Sequence, residues 1–178
     1  MGIGYKLFKI KRNQPGKLFP LYVFANEETR MNEWIPAKEG PITEKGKVKS
    51  KLGELCFRPG HHLADIPLAT HIGIKVDGVI KYMHSDEVWC EVEYSDNIDY
   101  TDVVTQNGMI NGKFAPKKAY MTGIPVDGFY RYKTNPNMTG DWIIAGAIKV
   151  NRILTDEEVK EICNRNGYEP LPRLENVG

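Results

Sequence analysis

"LTDEEVKEICNRNGYEPLP", residues 154–172, decides the fold class, because it is the one stretch with a full set of helix signals. Thr155 stands at an N-cap position with Glu158 three residues on, the spacing of a capping box. Asp156, Glu157 and Glu158 put negative charge in the first turn, where the helix dipole favours it. Val159, Ile162 and Cys163 form a narrow apolar stripe. Gly167 suits the residue after the helix, and Pro170 and Pro172 prevent continuation.

Upstream of this helix the pattern is of strands. "YKLFKIK" (5–11) alternates, with Tyr5, Leu7 and Lys9 on one face and Lys6, Phe8 and Ile10 on the other. "NQPG" (13–16) is a turn signal, because Pro15 sets φ and Gly16 permits positive φ. "KLFPLYVF" (17–24) follows as a second strand, and Pro20 confines it to an edge or a bulge. The two predict an N-terminal hairpin. Residues 36–53 predict a loop or an exposed strand, and "GELCFR" (53–58) and "VWCEVEY" (88–94) read as short strands. Asp77-Gly78 within "GIKVDGVIKYM" (73–83) is the strongest hairpin signal in the chain. Residues 105–125 predict a long excursion. "DGFYRYKT" (127–134) returns to strand, and "DWIIAGAIKV" (141–150) reads as a single apolar, central strand. The expected architecture is α+β: a twisted antiparallel sheet with a C-terminal helix and long loops. It forms one domain over residues 1–168, followed by a flexible tail over 169–178.

Hydrophobic residues make up 41% of the 178, enough for a packed core. No apolar run approaches the roughly 18 to 20 residues of a membrane helix, and the N-terminus lacks the apolar segment of a signal peptide. Three dispersed cysteines, Cys56, Cys90 and Cys163, argue against a disulfide framework and for a reducing compartment, so the cytoplasm is expected. The net charge of +1 hides an asymmetry: residues 1–60 hold 12 Lys and Arg against 6 Asp and Glu. A basic end can meet an anionic partner; the same charges can also simply balance at the surface.

"GELCFRPGHHLADIPLATHIG" (53–73) holds three of the four histidines, His61, His62 and His71, with Cys56, Arg58 and Asp65. The spacings match no zinc module, so no metal is expected. A catalytic reading is open beside a structural one. Arg58 can clamp a phosphate through two parallel hydrogen bonds, and His62, at the exit of the Pro59-Gly60 turn, can act as general acid or base. Asp65 could orient it, and Glu91 and Glu93 share one strand face as candidate carboxylates. The structural alternative has the histidines capping the turn.

Lys45, Lys47, Lys49 and Lys51 recur at every second position. An extended segment would set their ammonium groups on one face about 6.6 Å apart, as a phosphate backbone or a protected sheet edge would require. Arg131 and Lys133 alternate with Tyr130 and Tyr132, a pattern that suits splayed bases or an ordinary half-buried strand. No P-loop, G-x-G-x-x-G, G-x-S-x-G or H-E-x-x-H motif occurs.

"FRPGHHLADIPLATHIG", "VWCEVEYSDNIDY" and "DGFYRYKTNPNMTGDWIIAGAIKVNRILTDEEV" together resemble a small-protein family of bacteriophages, prophages and mobile elements, also found fused into large phage polyvalent proteins. The resemblance runs from about residue 5 to residue 168. That family carries a Trp where this chain has His61, which makes His62 the matching histidine. The resemblance implies a setting more than an activity: a cytoplasmic accessory protein in the bacterial host, acting by binding. It implies an anti-CRISPR-type inhibitor of a nucleic-acid-handling host effector, contacting that effector or its DNA or RNA without a cofactor. Lys45, Lys47, Lys49, Lys51, Arg131 and Lys133 are the expected contacts. A second resemblance, to ADP-ribosyltransferase-type folds, implies an enzyme with NAD as cofactor or substrate, centred on Arg58 and His62 with His71 and Glu91 as further catalytic candidates.

Overall fold

Alternation in the first eleven residues produces a long strand, and the rest of the fold is arranged around it. The structure is a computed structural model that describes residues 1–21, 24–38, 48–50, 53–55, 59–69, 73–133 and 140–174. Its strands are β1 (Gly2–Lys11), β2 (Gln14–Phe19), β3 (Trp34–Pro36), β4 (Val48–Ser50), β5 (Gly53–Leu55), β6 (His61–Ala64), β7 (Ile74–Val76), β8 (Val79–Tyr82), β9 (Glu87–Tyr94), β10 (Ile98–Asp99), β11 (Met109–Ile110), β12 (Lys113–Phe114), β13 (Gly128–Tyr132), β14 (Trp142–Ala145) and β15 (Ala147–Ile153). The helices are α1 (Thr101–Asn107) and α2 (Asp156–Arg165). The fold is α+β, as the sequence predicts, and α2 is the C-terminal helix. Among the described residues no helix is long and apolar enough to cross a membrane.

The main sheet runs β10-β13-β14-β6-β1-β9-β15-β3, with β2 paired to β1. All its strand pairs are antiparallel except the short β10–β13 contact. The sheet is strongly curled. β14 and β15 stand four places apart in this order, about 19 Å across a flat sheet. Yet only Gly146 separates Ala145 from Ala147, a span of at most about 7.6 Å. The sheet must therefore bend round until its two sides meet at Gly146. There Gly146 N donates to Gly128 O at 3.0 Å, and Ala37 N donates to Gly146 O at 2.8 Å, which ties β13 to the end of β3. A Cβ at residue 146 would stand 1.9 Å from Pro125 O, so only glycine fits. This corrects the expectation for 141–150. The run is not one strand but two, broken where the backbone approaches another segment too closely for any side chain.

Curling separates two apolar layers. The concave side encloses Phe8, Leu63, Cys90, Val92, Phe129, Ile143, Ile148 and Val150, with the Tyr94 and Phe129 rings 5.4 Å apart across the bend. On the convex side α2 lays Val159, Ile162 and Cys163 over Leu7, Met83 and Trp89. Further along that side Val104 of α1 covers Tyr130 and Ile144. The capping box of α2 is present, with Thr155 and Glu158 exchanging side-chain to backbone bonds at 3.1 Å each. Cys90 and Cys163 are buried free thiols.

Three further expectations are met or amended. Asp77 and Gly78, with φ of 52° and 80°, turn the β7–β8 hairpin. The N-terminal hairpin also forms, but its turn is Arg12-Asn13, because Lys11 pairs with Gln14. Pro15 and Gly16 lie inside β2 where the register shifts; a residue without an N–H followed by one at φ 79° makes an irregular strand there rather than the turn. The tail expected to be flexible is anchored as far as Leu174: Met83 N donates to Pro172 O at 2.9 Å and Leu174 N to Met83 O at 3.0 Å.

Candidate functional site

The Pro-Gly turn at 59–60 does deliver two histidines, and each is held by a backbone carbonyl. Gly60 sits at φ 122°, beyond the reach of other residues without strain. β6 then starts at His61. Alternation sends His61 to the concave side with Leu63, and His62 to the convex side with Ala64. His62 Nδ1 donates to Gly60 O at 3.2 Å, and its ring meets the Trp142 ring edge-on at 6.3 Å. His61 Nε2 donates to Ile35 O on β3 at 3.0 Å. Each bond places a proton on the nitrogen that makes it.

Lys6 joins His61 on the concave side. Its Nζ donates to His62 O at 3.1 Å, and among the described residues no carboxylate pairs with it. Burial pushes the Lys6 ammonium down to about 8. Burial, and after it repulsion from Lys6, pushes His61 down to about 4, against the carbonyls of Ile35 and Pro36, which favour the charged ring. The pair is a desolvated cation beside a neutral imidazole, though each residue keeps part of its surface exposed. Sequence reasoning missed Lys6. The available signal was a lysine on the same strand face as Phe8.

The charged candidates are distributed differently. Asp65 does not orient a histidine: its Oδ1 accepts from Arg131 Nη1 at 2.6 Å and its Oδ2 from Asp141 N at 2.9 Å. Arg131 also lies 3.6 Å from Asp141, and Lys133 lies 3.9 Å from the same carboxylate. Glu91 faces Arg152 at 3.6 Å and Asn151 at 3.4 Å, and Glu93 faces Lys149 at 2.9 Å. Tyr5 pairs with both Ala64 and Glu91, so β1 stands between Glu91 and β6. His62 and Glu91 are then on the order of 12 Å apart along the sheet, too far to act on one bond. Arg58, His71, Lys45, Lys47 and Lys51 lie outside the described residues. Lys49 belongs to β4, opposite Glu54 of β5.

A surface that no motif marked lies in the excursion. α1 and the β11–β12 hairpin carry Val103, Met109, Ile110 and Phe114, a 3₁₀ turn at Pro116–Lys118 follows, and Val126 stands just before β13, all five apolar side chains being large and exposed. Asn111 and Gly112, at φ 51° and 77°, turn the hairpin outward. From 103 to 126 the chain has three lysines, Lys113, Lys117 and Lys118, and no carboxylate. All three lysines are exposed, and none forms a salt bridge among the described residues.

Comparison with protein-family models, with curated proteins and with solved structures finds no match.

Proposed function

We propose that the protein acts by binding a macromolecular partner through the surface of residues 103–126. The partner is the acidic surface of a nucleic-acid-handling host effector, which a phage- or mobile-element-borne accessory protein of anti-CRISPR type would inhibit. The observation that carries this reading is the exposed Met109, Ile110 and Phe114 beside three lysines without an acid. Exposed apolar side chains grouped on one projecting element are characteristic of contact surfaces. The lysines give the sign of the partner, and the aliphatic and aromatic content favours a protein over a bare phosphate backbone. Arg131 and Lys133, engaged with Asp65 and Asp141, contribute to the sheet rim instead.

The test is capture of partners from host lysate with the tagged protein, with and without nuclease. Wild type is compared with a variant carrying Ile110→Ser, Phe114→Ser, Lys113→Glu and Lys117→Glu. These side chains are exposed, so the melting temperature should stay within about 2 °C. The expected result is a nuclease-resistant partner whose capture falls at least tenfold in the variant. Equal capture by both proteins, or capture abolished by nuclease, overturns the reading.

A further inference from the structure

Between the convex face of the sheet, α2 and the anchored tail lies a pocket of about 300 Å³. That is the lower end of the range for small-molecule sites, and about ten water volumes. Met83, Trp89, Val159 and Leu171 make its walls apolar. Of the three carboxylates that line it, Glu87, Asp156 and Glu169, only Glu87 is buried, at 3% exposed. Its Oε1 accepts from His84 N at 3.2 Å, and burial raises its pKa.

No cation forms an ion pair with Glu87 among the described residues, and His84 and Lys9 act on it only from a distance. Lys9 stands opposite Glu87 in the ladder but extends to Asp86 at 3.6 Å. Arg173 donates through Nε and Nη2 to Asp156 at 3.1 and 2.9 Å. Its Nη1 reaches the carbonyl oxygens of His84, Ser85 and Glu87 at 3.4, 3.1 and 2.6 Å. Arg173 therefore holds the Glu87 backbone in place and leaves the carboxylate unpaired. Of the other charges on the pocket, Lys160 and Glu169 are exposed and oppose one another, so Glu87 sets the sign of the interior. An unpaired carboxylate against apolar walls is unfavourable unless a cation meets it.

We propose that this pocket binds a small organic cation with an apolar body. Its ammonium or amidinium group pairs with Glu87, and its hydrocarbon lies against Met83 and Trp89. Trp89, two positions along the same strand face from Glu87, lines the pocket with an aromatic ring, which attracts a cation and not an anion where its face is met. The site is independent of the excursion surface and lies on a different part of the sheet.

The experiment is calorimetric titration of the full chain with n-hexylamine, 1-hexanol and hexanoate at neutral pH, on wild type, Glu87→Gln and Leu171→Trp. Gln keeps the acceptor for His84 N, and Trp at 171 fills the pocket from the tail without touching the carboxylate. Hexylamine is expected to bind wild type at least tenfold tighter than hexanol, with hexanoate weakest. Glu87→Gln should bring hexylamine down to the level of hexanol, and Leu171→Trp should abolish binding of both. Equal binding of amine and alcohol, amine binding unchanged in Glu87→Gln or in Leu171→Trp, or no binding of any probe to wild type overturns the proposal.

Discussion

The ionisable groups of this protein fall into two regions that obey different rules. On the partly solvated faces and rims of the sheet they are paired: Arg131 with Asp65 and Asp141, Lys149 with Glu93, Arg152 with Glu91 and Glu158. Inside the curl and beneath α2 they are not: Lys6, His61 and Glu87 hydrogen-bond backbone groups and form no ion pair among the described residues. Rim pairs keep water around them and contribute little each, whereas each inner group carries a desolvation penalty that nothing nearby cancels. Charges that serve only solubility or register collect on the rim. An unpaired inner group is where a ligand would change most.

The contrast is sharpest in acid. His61 has its folded-state pKa near 4 against about 6.5 unfolded, so the unfolded chain binds the proton first. The stability this group contributes is present above pH 6.5 and lost as pH falls towards 4, a loss of at most about 3 kcal/mol. Urea unfolding at a series of pH values should show it, and His61→Trp, which carries no titrating ring, should remove it. A loss that persists in His61→Trp places its origin elsewhere.

Lys6 titrates on the other side of neutrality. Its folded pKa near 8, against 10.5, means that stability rises as pH climbs from 8 to 10.5, and that below 8 the whole penalty is present. Lys6→Met removes a charge whose penalty is about 3 kcal/mol and loses one hydrogen bond to His62 O, so it should stabilise by about 1 to 2 kcal/mol at pH 7. It should also raise the His61 pKa, because Lys6 is the second cause of that shift. Destabilisation by Lys6→Met would break the comparison.

On the rim the effect reverses in sign and shrinks. Asp65→Ala frees Arg131 from its 2.6 Å contact and leaves Asp141 N without its acceptor. A loss of about 1 kcal/mol is expected, reduced by added salt, since both side chains are partly solvated. A loss above 3 kcal/mol, insensitive to salt, would show that the rim behaves like the interior.

Local signals carried the helix and one hairpin intact. Thr155 with Glu158, and Asp77 with Gly78, act within four residues and need no tertiary partner. The turn of the first hairpin was misplaced because Pro15-Gly16 serves a bulge as well as it serves a turn. The RPG-His turn was legible as the entry to a strand, but the partners of its histidines were not: Ile35 O reaches His61 from β3, 26 residues away. Asp65 looked available to His62, three residues before it, yet Arg131 claims it from 66 positions on.

By itself the sequence determined the first strand, the β7–β8 hairpin, the C-terminal helix and how that helix is capped, because propensity, capping and turn chemistry are short-ranged. Only the tertiary structure decided that "DWIIAGAIKV" breaks at Gly146, since the reason is Pro125 O standing where a Cβ would be. The same curl decided that Lys6, one charge in an alternating strand, lies beside His61 away from any acid, and the return of the tail decided that Arg173 holds the backbone of Glu87 and not its carboxylate. Charge is written in the sequence; desolvation and pairing depend on which distant segment arrives beside it.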